Sequence, residues 1–99
     1  MIIVTGTFEV PADGIEAAKK AAAAMVADTV KEDGCHEYQF WQSIASPTTF
    51  RVYEEWESDA HLAAHGATEH MATFRAALGE IGLISRKVKK FPMGEVVEL

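Results

Sequence analysis

The sequence has little of what secreted and membrane proteins require. It contains one cysteine, Cys35, which cannot form an internal disulfide, and only three prolines. No apolar run approaches the roughly 20 residues that a helix needs to cross a bilayer, and no basic leader with an apolar core precedes the first hydrophobic segment. We therefore expect a cytoplasmic protein that has no membrane partner.

Basic residues are also scarce. Nine lysines and arginines stand against fifteen aspartates and glutamates, which gives a formal charge of −6 and a pI near 5.1. Phosphate backbones and anionic lipids would repel such a chain at long range, so we expect no nucleic-acid partner. None of the seven glycines belongs to a phosphate-binding loop or a dinucleotide fingerprint. The sequence therefore predicts no cofactor.

The chain is short but apolar enough to fold. Its 99 residues are 48% hydrophobic, and no linker, repeat or low-complexity stretch divides them, so we predict a single domain over 1–99. A domain of this size buries only part of its apolar surface when it folds. Self-association, most simply as a homodimer, is the expectation.

Hydrophobic periodicity predicts six elements along the chain. Apolar and polar residues alternate over 2–10, 35–45, 50–57 and 84–91, as in strands, and the last of these is rich in lysine, as edge strands are. A helical period follows Asp13, which with Glu16 resembles a capping box, and lasts until Gly34. A second helical period runs from the N-cap Ser58 to about 78 and is interrupted near Gly66. The connection 46–49 suits a hairpin.

The element order β-α-β-β-α-β is typical of the ferredoxin-like fold. This α+β architecture has a four-stranded antiparallel sheet with both helices on one face. The first strand carries apolar groups on both sides, with Ile2, Val4 and Phe8 opposite Ile3. We therefore expect two sheets to pack face to face across a dimer axis.

Glu54 is the first candidate for a functional site. In a strand, side chains two residues apart share a face, so this carboxylate lies between Val52 and Trp56. A carboxylate in apolar surroundings must be hydrogen-bonded or have a raised pKa, and it could accept a proton or orient an imidazole. The alternative is a structural carboxylate that braces the following helix.

His65 is the second candidate. It follows Leu62 by three residues and so shares the helix face that packs toward the sheet. A half-buried histidine facing Glu54 could serve as general base toward a phenolic hydroxyl, because its unperturbed pKa is close to neutral. The alternative is a core histidine whose ring is satisfied by a backbone carbonyl.

Aromatic residues on the strands and the second helix could line a flat apolar pocket for a planar substrate. They are Tyr38, Phe40, Trp41, Trp56 and Phe74. For most of them, ordinary core packing is the competing interpretation, whereas a buried Tyr38 hydroxyl needs a polar partner and could bind a substrate oxygen. A metal site is not expected, because the pair His61 and His65 supplies only two ligands.

Two motifs give the chain a family resemblance. The segment GCHEY, 34–38, is followed by E-x-W-x-S-x-x-x-L-x-x-H from Glu54 to His65 and then by Phe74. This pattern resembles the antibiotic biosynthesis monooxygenase domain. The resemblance implies a dimeric α+β barrel and a cofactor-independent monooxygenase that oxidises a hydroquinone or polyphenol with O₂. It favours His65 as the general base, supported by Glu54.

Haem degradation is disfavoured, because the haem-degrading branch of the same superfamily has a tryptophan where this chain has His65, and an asparagine on the first strand, where this chain offers Thr5 and Thr7. Two alternatives to the monooxygenase remain open. A non-oxidative isomerase of a small carbonyl or hydroxy metabolite could use the same base. A non-catalytic dimer that binds a small molecule is the second alternative. RNA recognition is excluded by the acidic third strand.

Overall fold

The computed structural model describes the whole chain, residues 1–99, and contains four strands, three α-helices and one 3₁₀ turn. The strands are β1 (Ile2–Glu9), β2 (Cys35–Gln42), β3 (Thr49–Trp56) and β4 (Ser85–Pro92). The helices are α1 (Ile15–Thr29), α2 (Asp59–Gly66) and α3 (Glu69–Ile81), and the 3₁₀ turn is Ala12–Gly14. No helix is both long enough and apolar enough to span a bilayer.

The four strands form one antiparallel sheet in the order β2-β3-β1-β4. This confirms the ferredoxin-like α+β fold, with β2 and β3 joined as a hairpin and the lysine-rich β4 at an edge. In this register Val4 lies between Glu54 of β3 and Lys90 of β4. Residues that pair across neighbouring strands point to the same face of the sheet. Val4 is buried, so the Glu54 carboxylate also points to the buried face.

The second helical segment differs from the prediction in one respect. A break after Gly66 makes it two helices, and each has its own N-cap: the Ser58 hydroxyl accepts a hydrogen bond from the His61 N–H, and the Thr68 hydroxyl accepts one from the Met71 N–H. The polar cap at residue 68 satisfies backbone donors that a continuous helix would have bonded internally, so the chain can begin a new helix there.

The predicted capping box at Asp13 is wrong. Asp13 lies inside the 3₁₀ turn, and neither that turn nor α1 has a side-chain cap at its N-terminus. Because an N-cap side chain must precede the first helical turn, a residue already within the turn cannot fill the role. The acidic side chain still stands near the positive end of the helix dipole.

The core lies between the sheet and the helices. One cluster of buried residues comprises Ile2, Val4, Met25, Tyr38, Val52 and Trp56. A second comprises Phe8, Val10, Ala18, Phe50 and Leu78, where the rings of Phe8 and Phe50 stack with centroids 5.3 Å apart.

Two glycines are required by this geometry. A Cβ at Gly6 would lie 2.0 Å from the Lys87 carbonyl oxygen of β4, so only glycine allows β1 and β4 to approach so closely. Gly82 ends α3 in the left-handed conformation, with φ of 93°, and thereby turns the chain into β4.

The opposite face of the sheet carries no helix. Trp41 of β2 is 59% exposed on it, and Phe91 of β4 is also exposed. The C-terminal residues after β4 are exposed as well, including Val96, Val97 and Leu99.

Candidate functional site

A cavity of about 210 Å³ lies between the sheet and α3. It is mainly apolar, and its polar members are Tyr38, Glu54, Arg75 and Arg86. The apolar wall consists of Phe8, Phe40, Val52, Met71, Phe74, Leu78, Leu83 and Val88, with Gly79 beside them. An apolar hollow with a few convergent polar groups is the usual form of a small-molecule site.

Glu54 is the acidic group of this cavity. Its side chain is buried, and one oxygen accepts a 2.8 Å hydrogen bond from the indole N–H of Trp56. Burial is the main cause that raises the pKa of Glu54 to about 7, and the negative charge of Glu32 adds a smaller upward contribution. The Trp56 hydrogen bond and the Arg86 guanidinium oppose this rise. A carboxyl group that titrates near neutrality can both accept and return a proton at physiological pH.

Tyr38 stands beside Glu54 across the β2–β3 pair. Burial, and next the negative charge of Glu54, raise the pKa of the Tyr38 hydroxyl far above its ordinary value. Because the phenol keeps its proton, Tyr38 can donate a hydrogen bond to a substrate oxygen. Its ring packs edge-on against Phe40, with centroids 5.5 Å apart.

Two arginines stand at the cavity and are also exposed to solvent, so they form its mouth. Arg75 comes from α3 and Arg86 from β4, on the strand face that also carries Val88. Positive charge at the opening favours a substrate that carries, or develops, negative charge.

His65 lies deeper in the protein. Its side chain is 2% exposed, its ring centroid is 4.7 Å from that of Trp56 and 5.5 Å from that of Tyr38, and it is not among the residues that line the cavity. The hydrogen-bond partner of its Nδ1 is Glu32 at 2.7 Å, not Glu54 as expected from the sequence. The two groups that were expected to form a pair do not bond each other; Trp56 and Tyr38 each neighbour both of them.

The predicted aromatic pocket is divided by the structure. Tyr38, Phe40 and Phe74 line the cavity, whereas Trp56 is fully buried, does not line it, and donates its indole N–H to the cavity-lining Glu54. Trp41 lies on the uncovered face of the sheet. Strand alternation explains the difference. Tyr38 and Phe40 are two residues apart and point to the same face of the sheet, whereas Trp41 points to the opposite face.

Glu32 meets two histidines at a single oxygen. Its Oε2 is 2.7 Å from His65 Nδ1 and 2.7 Å from His70 Nε2. These three side chains, which we call the Glu32 cluster, offer three ligand atoms within 4.8 Å of one another, a set that could hold a divalent metal ion. A metal on Nδ1 would, however, force the ring proton of His65 onto Nε2, which is buried and has no hydrogen-bond partner.

The histidine pair considered from sequence is not a site. His61 Nδ1 bonds the Ser58 hydroxyl at 2.8 Å, and its Nε2 lies 3.3 Å from the exposed Asp33 carboxylate. His61 therefore belongs to the start of α2, while His65 belongs to the interior.

Sequence reasoning missed Glu32, Arg75 and Arg86. A signal existed for Arg86, because it shares strand parity with Val88, the most buried residue of β4. Glu32 lies in the connection between α1 and β2, where no periodicity indicates which way a side chain points.

The family described as antibiotic biosynthesis monooxygenase matches residues 1–77. This range includes Tyr38, Glu54, Phe74 and the Glu32 cluster, and it ends before Arg86.

Curated relatives carry compatible names. The Escherichia coli protein named "Probable quinol monooxygenase YgiN" is 38% identical over 65 residues, which are 57% of this chain and 62% of that protein. The chain thus spans less than two thirds of that relative. "Putative monooxygenase Rv0793" of Mycobacterium tuberculosis is 29% identical over 80 residues, 81% of this chain and 78% of that protein.

Solved structures confirm the architecture. A Deinococcus radiodurans protein titled a "putative antibiotic biosynthesis monooxygenase" superposes with a TM-score of 0.95 over 100% of this chain and 98% of its own, at 22% identity. That likeness shows the fold alone. The structure of Rv0793 gives a TM-score of 0.86 at 26% identity, with 97% of this chain and 98% of that one covered.

Proposed function

Because the chain belongs to the antibiotic biosynthesis monooxygenase family, we propose that it oxidises a compact hydroquinone or polyphenol with O₂ in the cavity beneath α3. The observation that carries this proposal is Glu54, a buried carboxyl group with a pKa of about 7 that faces a small apolar cavity. The Escherichia coli relative is named a probable quinol monooxygenase, which supports a quinol as the substrate class.

Glu54 is the proton acceptor in this scheme. A phenol is a poor electron donor until it loses its proton, and a carboxylate within hydrogen-bond reach in a dry cavity can take that proton as the electrons leave. Tyr38 donates a hydrogen bond to the substrate oxygen, and Arg86 stabilises the negative charge that develops. Phe40 and Phe74 hold the ring by stacking and edge contacts.

The oxidation itself requires no redox group from the protein. The substrate anion gives one electron to O₂, and the resulting superoxide and ring radical combine to a peroxide anion on a ring carbon, which takes back the proton held by Glu54 and becomes a hydroperoxide. That carbon then loses its hydrogen as the O–O bond breaks, so one oxygen atom stays on the ring and the other leaves as water. Hydroquinone and O₂ thus give a hydroxyquinone and water, and the substrate supplies all the electrons.

The cavity volume limits the substrate. About 210 Å³ lies below the roughly 300–1,000 Å³ of pockets that hold drug-sized ligands. Single-ring quinols should therefore be turned over in preference to fused-ring ones.

The general base assigned from sequence, His65, stays a competing prediction. His65 is next to Trp56 and to Tyr38, which itself lines the cavity. The two candidates make opposite predictions for point variants, so the same experiment decides between them.

The test is oxygen uptake by the purified protein with 1,4-hydroquinone, catechol and pyrogallol, each compared with a buffer blank for autoxidation. We expect substrate-dependent uptake, no product under nitrogen, and one ¹⁸O atom from ¹⁸O₂ in the organic product. Glu54→Gln should lower the rate about 100-fold or more, and His65→Ala should be tested in parallel. Loss of activity in His65→Ala with an unaffected Glu54→Gln would transfer the role of base to His65.

We also propose that the protein is a homodimer that pairs through the uncovered sheet face. Phe91 is exposed there and pairs with the partly exposed Ile3, and Trp41 is exposed on the same face at the other edge of the sheet. Burying such a face removes apolar area from water. Sedimentation equilibrium should give twice the 10.8 kDa chain mass, and Trp41→Lys should shift the equilibrium toward monomer. A monomer at all concentrations would contradict the proposal.

A second function is favoured by Arg75 and Arg86. Two guanidinium groups at the mouth suit an anionic carbonyl or hydroxy compound, whose proton Glu54 could move without oxygen, as in an isomerase. Conversion under nitrogen to an isomer would support the isomerase and oppose the monooxygenase. The isomer should have the substrate's mass when formed in H₂O and should carry a carbon-bound deuterium when formed in D₂O.

A further inference from the structure

The Glu32 cluster is a partly buried hydrogen-bonded group that the proposed chemistry does not use. Glu32 is 14% exposed, His65 is 2% exposed and His70 is 23% exposed by side chain, and the three come from the α1–β2 connection, α2 and α3. The cluster thus connects three segments that lie far apart in the sequence.

The donor and acceptor roles in this cluster follow from chemistry. A carboxylate oxygen only accepts hydrogen bonds, so each ring nitrogen that faces Glu32 must carry a hydrogen. In the neutral imidazole of His65 the proton is therefore on Nδ1, and in that of His70 it is on Nε2. The two histidines adopt opposite tautomers although they bond the same oxygen.

The unpartnered nitrogen of His65 points to the same tautomer. Its Nε2 is buried without a hydrogen-bond partner. A proton on that atom would be a buried donor with no acceptor, whereas a bare lone pair in contact with aromatic rings avoids this desolvation cost.

We propose that Glu32 is a positioning residue. It fixes the Nδ1–H tautomer and the position of the His65 ring, and His65 in turn fixes the position of the Trp56 indole. The ring centroids of His65 and Trp56 are 4.7 Å apart, and the Trp56 indole N–H donates a 2.8 Å hydrogen bond to Glu54. The effect of Trp56 on Glu54 as the reacting carboxylate rests on the proposed function, whereas the tautomer assignment of His65 is independent of it.

The test is a long-range ¹H–¹⁵N spectrum of the four histidine side chains at pH 8.5, where imidazoles are neutral. We expect His65 to be protonated at Nδ1 and His70 at Nε2. Glu32→Gln keeps an acceptor oxygen and should preserve both tautomers, whereas Glu32→Leu removes it and should convert His65 to a mixture or to Nε2–H. Wild-type His65 protonated at Nε2, or a Glu32→Leu spectrum identical to wild type, would overturn the proposal.

Two further measurements sharpen the test. Glu57→Leu removes the carboxylate that bonds the exposed His36 and is the matched control, which should leave the His65 signals unchanged. Titration with Zn²⁺ should not displace the Nδ1 proton of His65. Stoichiometric Zn²⁺ binding with loss of that proton would make the cluster a metal site and contradict the positioning role.

The functional link is measured separately with the best quinol. Glu32→Leu should lower kcat about tenfold, as small misplacements of a reacting group do, with little change in KM, and Glu32→Gln should retain most of kcat. Equal kcat in wild type and Glu32→Leu would refute the link while leaving the tautomer result intact. If the wild-type protein oxidises no quinol, the proposed function fails, and the tautomer spectra still decide the role of Glu32.

Discussion

Two carboxylates lie inside this small domain, and their surroundings differ. Glu32 shares one oxygen between two imidazole nitrogens at 2.7 Å, while Glu54 accepts one hydrogen bond from Trp56 and otherwise faces a cavity. A carboxylate whose two donors come from two different helices holds both helices to its own chain segment. A carboxylate with one donor and open space beside it retains the capacity to accept a proton.

The largest expected effect separates the two carboxylates by activity. Glu54→Gln keeps the hydrogen bond from Trp56 because the amide oxygen still accepts, but it removes the basic group. We expect at least about a 100-fold loss of quinol oxidation with the fold retained, as measured by oxygen uptake and circular dichroism. Glu32→Gln is the matched variant and should keep most activity. Equal losses of activity in the two variants would contradict the different roles assigned to Glu54 and Glu32.

A second prediction concerns pH and stability. The pKa of Glu54 rises from 4.5 to about 7 on folding, so the native state favours the protonated form. Its stabilising contribution is complete below pH 4.5 and is lost as pH rises through 7, up to about 3 kcal/mol. Urea unfolding of wild type and Glu54→Gln should therefore diverge between pH 5 and 8, with wild type losing stability. A constant difference across this range would show that Glu54 is not perturbed.

The third prediction addresses the structural carboxylate. Glu32→Leu leaves the buried Nδ1–H of His65 without an acceptor, and it should lower the free energy of unfolding by about 2 kcal/mol. Glu57→Leu, which removes an exposed carboxylate, should change the free energy of unfolding by less than about 0.5 kcal/mol. Equal losses in the two variants would mean that the Glu32 cluster contributes no more than a surface pair.

The fourth prediction concerns the single donor to Glu54. The Trp56 hydrogen bond lowers the pKa of Glu54, so Trp56→Phe should raise it further. The carboxyl carbon of Glu54, followed by ¹³C NMR, should titrate at a higher pH in the variant, and the activity profile should move the same way. A shift to lower pH would contradict the assigned contact.

The smallest effect on activity is expected at Trp41, on the uncovered side of the sheet. Trp41→Gln should change quinol oxidation by less than twofold, because the side chain does not line the cavity. Loss of activity at constant stability would return Trp41 to the pocket where the sequence prediction had placed it.

Strand and helix periodicity accounts for much of this molecule. Alternation in β1 and β3 predicted the sheet, and the parity of Glu54 with Val52 and Trp56 predicted a buried carboxylate. Ser58 was predicted as an N-cap, and its hydroxyl accepts the His61 N–H. These features are local, and local sequence determines them.

Features that depend on the packing of distant segments were harder to predict. The partner of His65 is 33 residues away in a connection without periodicity, so the sequence offered the nearer Glu54 instead. The break between α2 and α3 depended on Thr68 acting as a cap, which the interruption near Gly66 only suggested. Trp41 was grouped with the pocket aromatics by residue type, although its strand parity places it on the other face.

The most direct test of the account is a comparison of two midpoints in the wild-type protein. The pH profile of kcat/KM for the best quinol reports the free protein's essential base, and ¹³C NMR reports the titration of Glu54 itself. We predict that activity rises with pH to a plateau, with its midpoint near 7 and equal to the Glu54 midpoint. An activity that is unchanged through the Glu54 titration would contradict the assignment of Glu54 as the proton acceptor.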